Sequence, residues 1–265
     1  MSSTEDRSSE AEEPKLVTDE LQVARIEAAN TIRQFDAAMH ELQEWIGNSN
    51  YKIRPSTILY LNRVALDGLS SYAGIYRPAD IKIIGSKHLP VSAADVPRLV
   101  EDLCDYVNVN REKSAVHLAA YVLWRLNWIH PFVDGNGRTA RVLSYIILCA
   151  RLGYRLPGSK TIPEQISANK QPYYKALEAA DWADSAGVVD VSKLEQLIEA
   201  TLAVQLLDVH NNATGAKAVL EDANSTKSRQ SNIFQRSISW IENHPALIGL
   251  VGVVLAAILA LLFQA

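Results

Sequence analysis

The sequence predicts an all-α fold with one small β-hairpin flap and a C-terminal transmembrane helix. Apolar residues recur at helical spacing through most of the chain. The helical pattern breaks at residues 73–91, where a β-branched run precedes Gly85-Ser86. Residues 246–263 carry no charged side chain, and about 18 apolar residues are enough to span a bilayer.

The N-terminal part is predicted to hold a tail and two helices. Residues 1–17 are rich in Ser and Glu, so we expect a disordered acidic tail. A helical segment follows at 18–54, starting at a capping Thr18 with acidic neighbours and running to about Ile46. A second helix is expected from Pro55 to Leu69, because proline suits a first helical turn.

The flap is expected within residues 73–91. Ile81 to Ile84 form a short strand-like run, and Gly85-Ser86 supply a turn that closes a hairpin. We expect this hairpin to be the only β structure of the chain.

Helical spacing resumes after the flap and predicts a helical core over residues 55–209, followed by a polar linker at 210–232. A juxtamembrane and transmembrane helix is expected at 233–265. The core helices after the flap are predicted at 92–107, 114–128, 138–152, 163–180 and 189–209.

Composition excludes several function classes. The net charge of −4 argues against a nucleic-acid partner, which would favour a basic face. Cys104 and Cys149 lie in apolar helical surroundings and are typical of buried hydrophobic residues. Their spacing fits neither a disulfide framework nor a zinc site.

The segment 130–141, HPFVDGNGRTAR, concentrates polar chemistry between two predicted helices. Its paired glycines allow successive N–H groups to form an anion nest, and the helix that follows adds positive partial charge. Arg138 and Arg141 lie three residues apart, so both can reach one anion. Phosphate oxygens are the anions that such a site suits.

An acid and a base flank this nest. Asp134 would repel bare phosphate, but a divalent cation held between them removes the conflict, since Mg²⁺ takes one or two carboxylates plus phosphates. His130 has an ordinary pKa of about 6.5 and can accept a proton. Each feature alone is more often a helix end, a turn or a solvated face, but their joint occurrence favours a site.

The same segment resembles the signature of the Fic (Fic/Doc) family, H-x-F-x-[DE]-G-N-G-R-x-x-R, at every specified position. Similarity extends to residues 73–77 and 162–181 and covers roughly residues 55–205. It implies a Fic-type helical core with one hairpin. It also implies transfer of AMP from ATP to a Tyr, Ser or Thr hydroxyl of a target protein.

The resemblance assigns roles residue by residue. His130 would be the catalytic base and Asp134 the Mg²⁺ ligand. The residues implied to bind the phosphates of ATP are Gly135, Asn136, Gly137, Arg138 and Arg141. The residues implied to meet the nucleoside are Tyr173, Tyr174 and Asp181, although two tyrosines on an amphipathic helix also fit a half-buried core. The flap residues implied to dock a target by β-augmentation are Ile84, Gly85, Ser86 and Lys87.

Regulation is where the sequence departs from the family. Many members carry an inhibitory [ST]-x-x-x-E-[GN] helix whose glutamate pairs with the second arginine. Glu27 is the nearest match, but Val23 and Ala28 replace the flanking residues of that motif. Glu27 therefore fits either an inhibitory role or an ordinary surface charge. An antitoxin partner and a homodimer both stay open.

Residues 246–263 predict a single-pass anchor, with a buried core helix as the alternative. Lys227, Arg229 and Arg236 precede this run and no positive charge follows it. The positive-inside rule then places the catalytic domain in the cytoplasm.

Other activities fit the same motif. A Doc-type kinase, or a transferase with another phosphate donor, is one alternative, although Gly137 replaces the lysine that the Doc-like variant carries. Hydrolytic removal of AMP is a second alternative and would need Glu27 to activate water. A non-catalytic membrane scaffold that binds nucleotide or a partner belongs to another class, and the intact His130 argues against it.

Overall fold

The structure is a computed structural model that describes residues 7–10, 16–48 and 50–223. The chain divides into two compact units, Met1–Leu156 with Ile162–Ile198 and Pro157–Thr161 with Glu199–Ala265. The candidate site lies wholly in the first unit.

The described residues form eight α-helices, one short 3₁₀-helix at Ala93–Asp95 and a two-stranded sheet, and they are mainly helical as the sequence predicts. The strands are β1 Ser8–Glu10 and β2 Lys82–Ile84. The helices are α1 Glu20–Trp45, α2 Pro55–Leu66, α3 Val96–Val109, α4 Ala115–Ile129, α5 Asn136–Leu152, α6 Ile162–Ala168, α7 Lys170–Ser185 and α8 Ser192–Ala223.

Helices α4 and α5 form the centre of the first unit, and most residues of both helices are buried. They pack against each other, α1 and α2 cover α5, and α3 covers α4. Trp124 of α4 and Tyr145 of α5 are among the largest fully buried side chains. The loop that joins α4 to α5 is therefore held between two rigid elements.

Local chemistry explains where the helices begin. The Asp19 carboxylate accepts a hydrogen bond of 2.7 Å from the Gln22 N–H at the start of α1, so Asp19 rather than Thr18 is the cap. Pro55 occupies the first turn of α2. The Ser114 hydroxyl accepts from the His117 N–H at the start of α4. The predicted starts of these helices are confirmed to within two residues.

The predicted hairpin is wrong. Residues 86–92 form no strand, and β2 pairs antiparallel with β1, in register Ser8 with Ile84 and Glu10 with Lys82. The His88 imidazole contacts the carbonyl oxygen of Trp128 at 2.8 Å, which draws the segment after the turn toward α4 instead of alongside β2.

Two composition-based boundaries are also corrected. The disordered tail predicted for 1–17 is wrong for residues 7–10, which form β1 on the open edge of β2. The linker predicted for 210–232 is wrong for 210–223, where α8 continues. Ala213, Ala216 and Ala218 favour a helix there, although the segment is polar.

Helix breaks refine the rest. The helix predicted at 163–180 is two helices, α6 and α7, because Asn169 takes an extended conformation between them. Within the part of the chain that the structure describes, no helix is long and apolar enough to cross a membrane. The span predicted at 246–263 lies outside those residues.

Candidate active site

The loop between α4 and α5 begins at His130, which ends α4 in a left-handed conformation with φ 53° and ψ 59°. Among the described residues, His130 is the one non-glycine with positive φ. Such conformations cost about 1–3 kcal/mol and concentrate at functional sites. The turn reverses the chain and leaves the imidazole inside the loop rather than on the helix surface.

The His130 ring is buried and held in one tautomer. Nδ1 lies 3.3 Å from the carbonyl oxygen of Asn127, and a carbonyl only accepts, so Nδ1 carries the ring proton. Nε2 is then left with its lone pair. Burial lowers the pKa of His130 to about 4, and the positive Arg77 and nearby His88 act in the same direction. The side chain is therefore a neutral proton acceptor at cellular pH.

A hydroxyl already lies at that lone pair. The Ser9 Oγ of β1 is 2.9 Å from His130 Nε2. Because Nε2 accepts, the Ser9 hydroxyl donates this hydrogen bond.

The N-terminus of α5 lies close by and is open to an anion. Its cap, Gly135, has φ 76° and no side-chain hydrogen bond closes the helix end. The first N–H groups of a helix lack intrahelical partners and attract anions. A Cβ at Gly135 would lie 2.9 Å from the Asn62 amide nitrogen, so a larger residue would push the loop away from α2.

Asn136 closes the loop with its side chain. Its amide oxygen accepts from the Phe132 N–H at 2.9 Å, and its amide nitrogen donates to the Phe132 carbonyl at 2.8 Å. These two bonds hold the amide against the loop backbone, so the backbone N–H of Asn136 and its second amide hydrogen are the donors that could contact a phosphate.

Arg138 lies between two carboxylates. Its guanidinium is 3.1 Å from Asp134 and 3.3 Å from Glu27. The resemblance implies that an inhibitory glutamate meets the second arginine, whereas this ion pair joins Glu27 to the first. A Cβ at Gly137 would lie 3.1 Å from an Arg141 guanidinium nitrogen, so Arg141 folds back over the same helix end.

Asp134 is a single acid at the rim of the site. Its carboxylate is 60% exposed, and within the described ranges no cluster of three or more His, Cys, Asp or Glu residues could hold a metal alone. One exposed carboxylate beside an anion site suits a Mg²⁺ ion that takes its remaining ligands from phosphates and water.

Arg77 braces the loop from the flap side. Its Nε donates to the His130 carbonyl oxygen and its backbone N–H donates to the Pro131 carbonyl oxygen, both at 2.9 Å. Its two terminal nitrogens donate to the carbonyl oxygens of Ala79 and Val91, at the two ends of the flap. One buried side chain therefore connects the flap to the His130 turn.

Asn62 braces the loop from α2. Its amide nitrogen donates to the Asp134 carbonyl at 3.0 Å, and its amide oxygen accepts from the Gly74 N–H at 2.9 Å. Asn62 is fully buried. Both sides of the loop thus have hydrogen-bond partners outside the motif.

Comparison with known proteins agrees with this geometry. Residues 52–148 match the Fic/DOC family. The matched range includes the whole segment 130–141. The family that the sequence motif predicts is thereby confirmed.

Relatives of the Fic domain include proteins named protein adenylyltransferase Fic. The chain is 31% identical over 162 residues to the one from Drosophila persimilis. It is 30% identical over 162 residues to the one from Culex quinquefasciatus. Each match covers 60% of this chain and about 30% of the relative, so the chain spans under a third of the length of these relatives.

Solved structures show the same fold. Fic-1 from C. elegans has a TM-score of 0.54 at 23% identity, over 70% of this chain and 52% of that one. A Fic family protein from Desulfovibrio desulfuricans G20 has a TM-score of 0.51 at 19% identity, over 84% and 65%.

The flap of the Fic domain pairs with an extended segment, although that segment belongs to the same chain. Ile84 is paired with Ser8. Gly85 turns with φ 76°, and the Ser86 N–H donates to the Ile83 carbonyl. Lys87 is exposed beyond the turn.

The three residues implied to meet the nucleoside lie at different depths. Tyr173 is buried, its pKa is raised to about 12 by desolvation, and its hydroxyl accepts from the Asn127 amide at 2.7 Å. Tyr174 is half-buried, and its ring faces the N-terminal strand. Asp181 accepts from the Trp124 indole at 2.9 Å, and burial raises its pKa. Tyr173 is thus engaged with α4, and Asp181 lies between α4 and the flap, since its carboxylate is also 3.7 Å from the His88 imidazole. Tyr174 faces β1.

Sequence reasoning missed three residues of the site: Ser9, Asn62 and Arg77. A signal existed for Asn62, since it is the polar residue among the apolar Ile58, Leu61 and Ala65 on the buried face of α2. Ser9 gave none, because it lies in a Ser-rich tail and reaches the site through strand pairing alone.

Proposed function

We propose that the chain transfers AMP from ATP to a hydroxyl side chain of a protein. The observation that carries the proposal is the neutral, buried His130 imidazole, whose Nε2 lies 2.9 Å from the Ser9 hydroxyl. The first turn of α5 begins six residues after His130. A base, a protein hydroxyl and a phosphate site are the three parts that the reaction needs.

In the proposed reaction the target hydroxyl attacks the α-phosphorus of ATP. His130 Nε2 takes the hydroxyl proton, the new O–P bond forms, and the bond to the β-phosphate breaks to release pyrophosphate. Arg138, Arg141 and the N–H groups of the first turn of α5 stabilise the charge that builds on the leaving group. Phosphoryl-type transfer depends mainly on such positioning and charge stabilisation.

Asp134 is the residue that would hold Mg²⁺. When bound, the ion neutralises phosphate charge and lowers the barrier to departure of pyrophosphate. Arg138 contacts this carboxylate in the structure, so it would move to phosphate oxygens as the ion binds.

We propose further that Glu27 restrains the reaction. Its carboxylate forms an ion pair with a guanidinium nitrogen of Arg138 at 3.3 Å. A phosphate oxygen would compete for the same nitrogen. The pair is partly exposed, which limits the restraint to a modest factor.

The close packing of Arg141 against Gly137 favours transfer of AMP over transfer of the γ-phosphate. A Cβ there would already lie 3.1 Å from the Arg141 guanidinium. The lysine of the Doc-like variant at this position would displace Arg141 from the helix end. The glycine keeps both arginines near the leaving group.

Membrane attachment through residues 246–263 is proposed on hydropathy alone. Fractionation of expressing cells tests it: the full chain should stay in the membrane pellet after alkaline carbonate extraction, and replacement of three residues of the run by aspartate should release it. Release of the unaltered chain would contradict the proposal.

Radiolabelled ATP tests the activity. With [α-³²P]ATP and magnesium the full chain should add label to protein in a cell lysate, whereas with [γ-³²P]ATP it should add none above the label that the lysate's own kinases produce without the chain. His130→Ala should lower labelling by about 10²–10⁴-fold, the usual contribution of a general base. His40→Ala, at an exposed position of α1, is the matched control. Label that arrives from the γ position would establish a kinase instead.

A further inference from the structure

The N-terminal strand occupies the place where a target segment would dock. β1 lies antiparallel along β2, with Ser9 opposite Ile83. Alternate side chains of a strand point to opposite faces. Within this register, the Ser9 hydroxyl is the group of β1 that reaches His130.

A second set of contacts, made to α7 rather than to β2, also holds the strand. The Arg7 guanidinium lies 4.3 Å from the centre of the Tyr174 ring and forms an ion pair with Glu178 of α7. The Arg7 side chain is only 14% exposed. A cation over an aromatic face, combined with a carboxylate, fixes the strand along its length as well as its register.

The contact between Ser9 and His130 has the geometry of a reacting pair. The hydroxyl is 2.9 Å from Nε2, within the distance that general-base catalysis requires. Nδ1 is committed to the Asn127 carbonyl, so the free lone pair points at this one hydroxyl. The open N-terminus of α5 begins six residues after His130, at Asn136.

We propose that Ser9 is a self-modification site, to which the chain transfers AMP from ATP within one molecule. This proposal rests on the proposed function. Ser9 Oγ attacks the α-phosphorus, its proton passes to His130 Nε2, an O–P ester bond forms, and the bond between the α-phosphorus and the oxygen bridging to the β-phosphate breaks. Pyrophosphate leaves with that oxygen, and AMP stays on Ser9.

Attachment within one molecule has kinetic consequences. A tethered acceptor has an effective concentration in the millimolar range. The fraction labelled per minute should therefore not change when the protein is diluted. The bulky AMP group on Ser9 would also no longer fit between β2 and His130, so the modified strand should leave the flap.

Purified full chain, incubated with magnesium and [α-³²P]ATP, tests the assignment. We expect the mass of one adenylyl group on the intact chain, located at Ser9 by peptide mass spectrometry, with the same first-order rate over a tenfold dilution. Ser9→Ala should abolish this label, and Ser9→Thr should keep it, since threonine also offers a hydroxyl. Ser8→Ala is the matched control, because it removes a neighbouring serine hydroxyl of β1 and leaves the Ser9 hydroxyl in place.

Docking is tested separately by Arg7→Ala. It should slow labelling of Ser9 about tenfold, the effect of losing roughly 1.4 kcal/mol of docking energy. The exposed Arg98→Ala should leave the rate unchanged. Both variants should label added lysate protein at a rate equal to or higher than that of the unaltered chain.

The outcomes separate this proposal from the proposed function. Label on lysate protein that depends on His130, with none on Ser9, overturns the self-modification and leaves the transferase. In that case, faster labelling of lysate protein by the Ser9→Ala variant would show that β1 inhibits the enzyme by blocking the docking site for other proteins. Label on neither Ser9 nor lysate protein overturns both.

Discussion

The Arg77 guanidinium donates a hydrogen bond of 2.9 Å to the main-chain carbonyl oxygen of His130. This single contact joins the flap, which positions an extended segment, to the residue that accepts the proton. The other donors of Arg77 reach the carbonyl oxygens of Ala79 and Val91. Arg77 therefore helps to set the distance between a docked strand and the imidazole.

Replacement of Arg77 by lysine should destabilise the protein. Lysine keeps the charge but lacks the planar fork, so at least one buried carbonyl loses its partner. We expect the free energy of unfolding to fall by about 2 kcal/mol, as for a lost hydrogen bond to a charged group. Urea denaturation measures it. Arg98→Lys, at an exposed arginine paired with Asp102, should stay within about 0.5 kcal/mol. Equal effects of the two changes would contradict the bracing role.

The buried imidazole predicts a pH dependence of stability. The pKa of His130 is about 4 in the folded chain, against an ordinary value of 6.5. Between these values the unfolded chain binds more protons, so stability is full above pH 6.5 and is lost as pH falls toward 4. The slope that His130 contributes is at most about 1.4 kcal/mol per pH unit.

His130→Gln removes that contribution. The difference in unfolding free energy between the unaltered chain and the variant should shrink steadily from pH 7 to pH 4.5, or reverse in sign. The exposed His40→Gln change should give a curve parallel to that of the unaltered chain through the same range. If the His130 variant also gives a parallel curve, the imidazole is not held in its neutral form.

Loss of the Glu27 charge should strengthen nucleotide binding. In Glu27→Gln the guanidinium of Arg138 no longer has to leave a carboxylate on α1 before it meets phosphate. Partly exposed ion pairs contribute about 0.2–1 kcal/mol, so the Kd for magnesium ATP should fall by a factor of roughly 1.4 to 5. Calorimetry in a His130→Ala background avoids turnover. Glu44→Gln on the same helix is the control, and an unchanged Kd in Glu27→Gln would remove the proposed restraint.

Periodicity and the motif predicted much of this molecule, for identifiable reasons. Helices such as α4 and α5 are long and strongly apolar, so local pattern and tertiary burial agree. The residues of segment 130–141 are close in sequence, so their meeting in space required no knowledge of the fold. The strand β1 could not be predicted, since its pairing with β2 bridges more than seventy residues.

The same logic explains contacts that the motif alone does not predict. Asn136 closes the loop through its side chain because Phe132 presents both a donor and an acceptor four residues earlier. Glu27 meets Arg138 because the packing of α1 on α5 sets which arginine it can reach. Spacing along one segment carries no information about a partner on another helix.

A glycine outside the motif should matter as much as those inside it. Gly74 has φ 74°, and a Cβ there would lie 2.6 Å from the Arg63 Cβ and 2.9 Å from the Leu59 carbonyl oxygen. Gly68 has nearly the same φ, 73°, with no atom within 4 Å of its Cβ position. Both substitutions by alanine incur the left-handed strain of about 1–2 kcal/mol, and Gly74→Ala adds the steric overlap.

We therefore expect Gly74→Ala to lower the free energy of unfolding by roughly 3 kcal/mol or more and Gly68→Ala by about 1 kcal/mol. Since the Gly74 N–H orients Asn62, whose amide holds the Asp134 carbonyl, the first variant should also speed amide exchange across residues 132–137. Chemical denaturation and hydrogen–deuterium exchange measure the two effects. Matching losses in the two variants would mean that backbone strain alone acts at Gly74 and that the α2 face does not brace the loop through it.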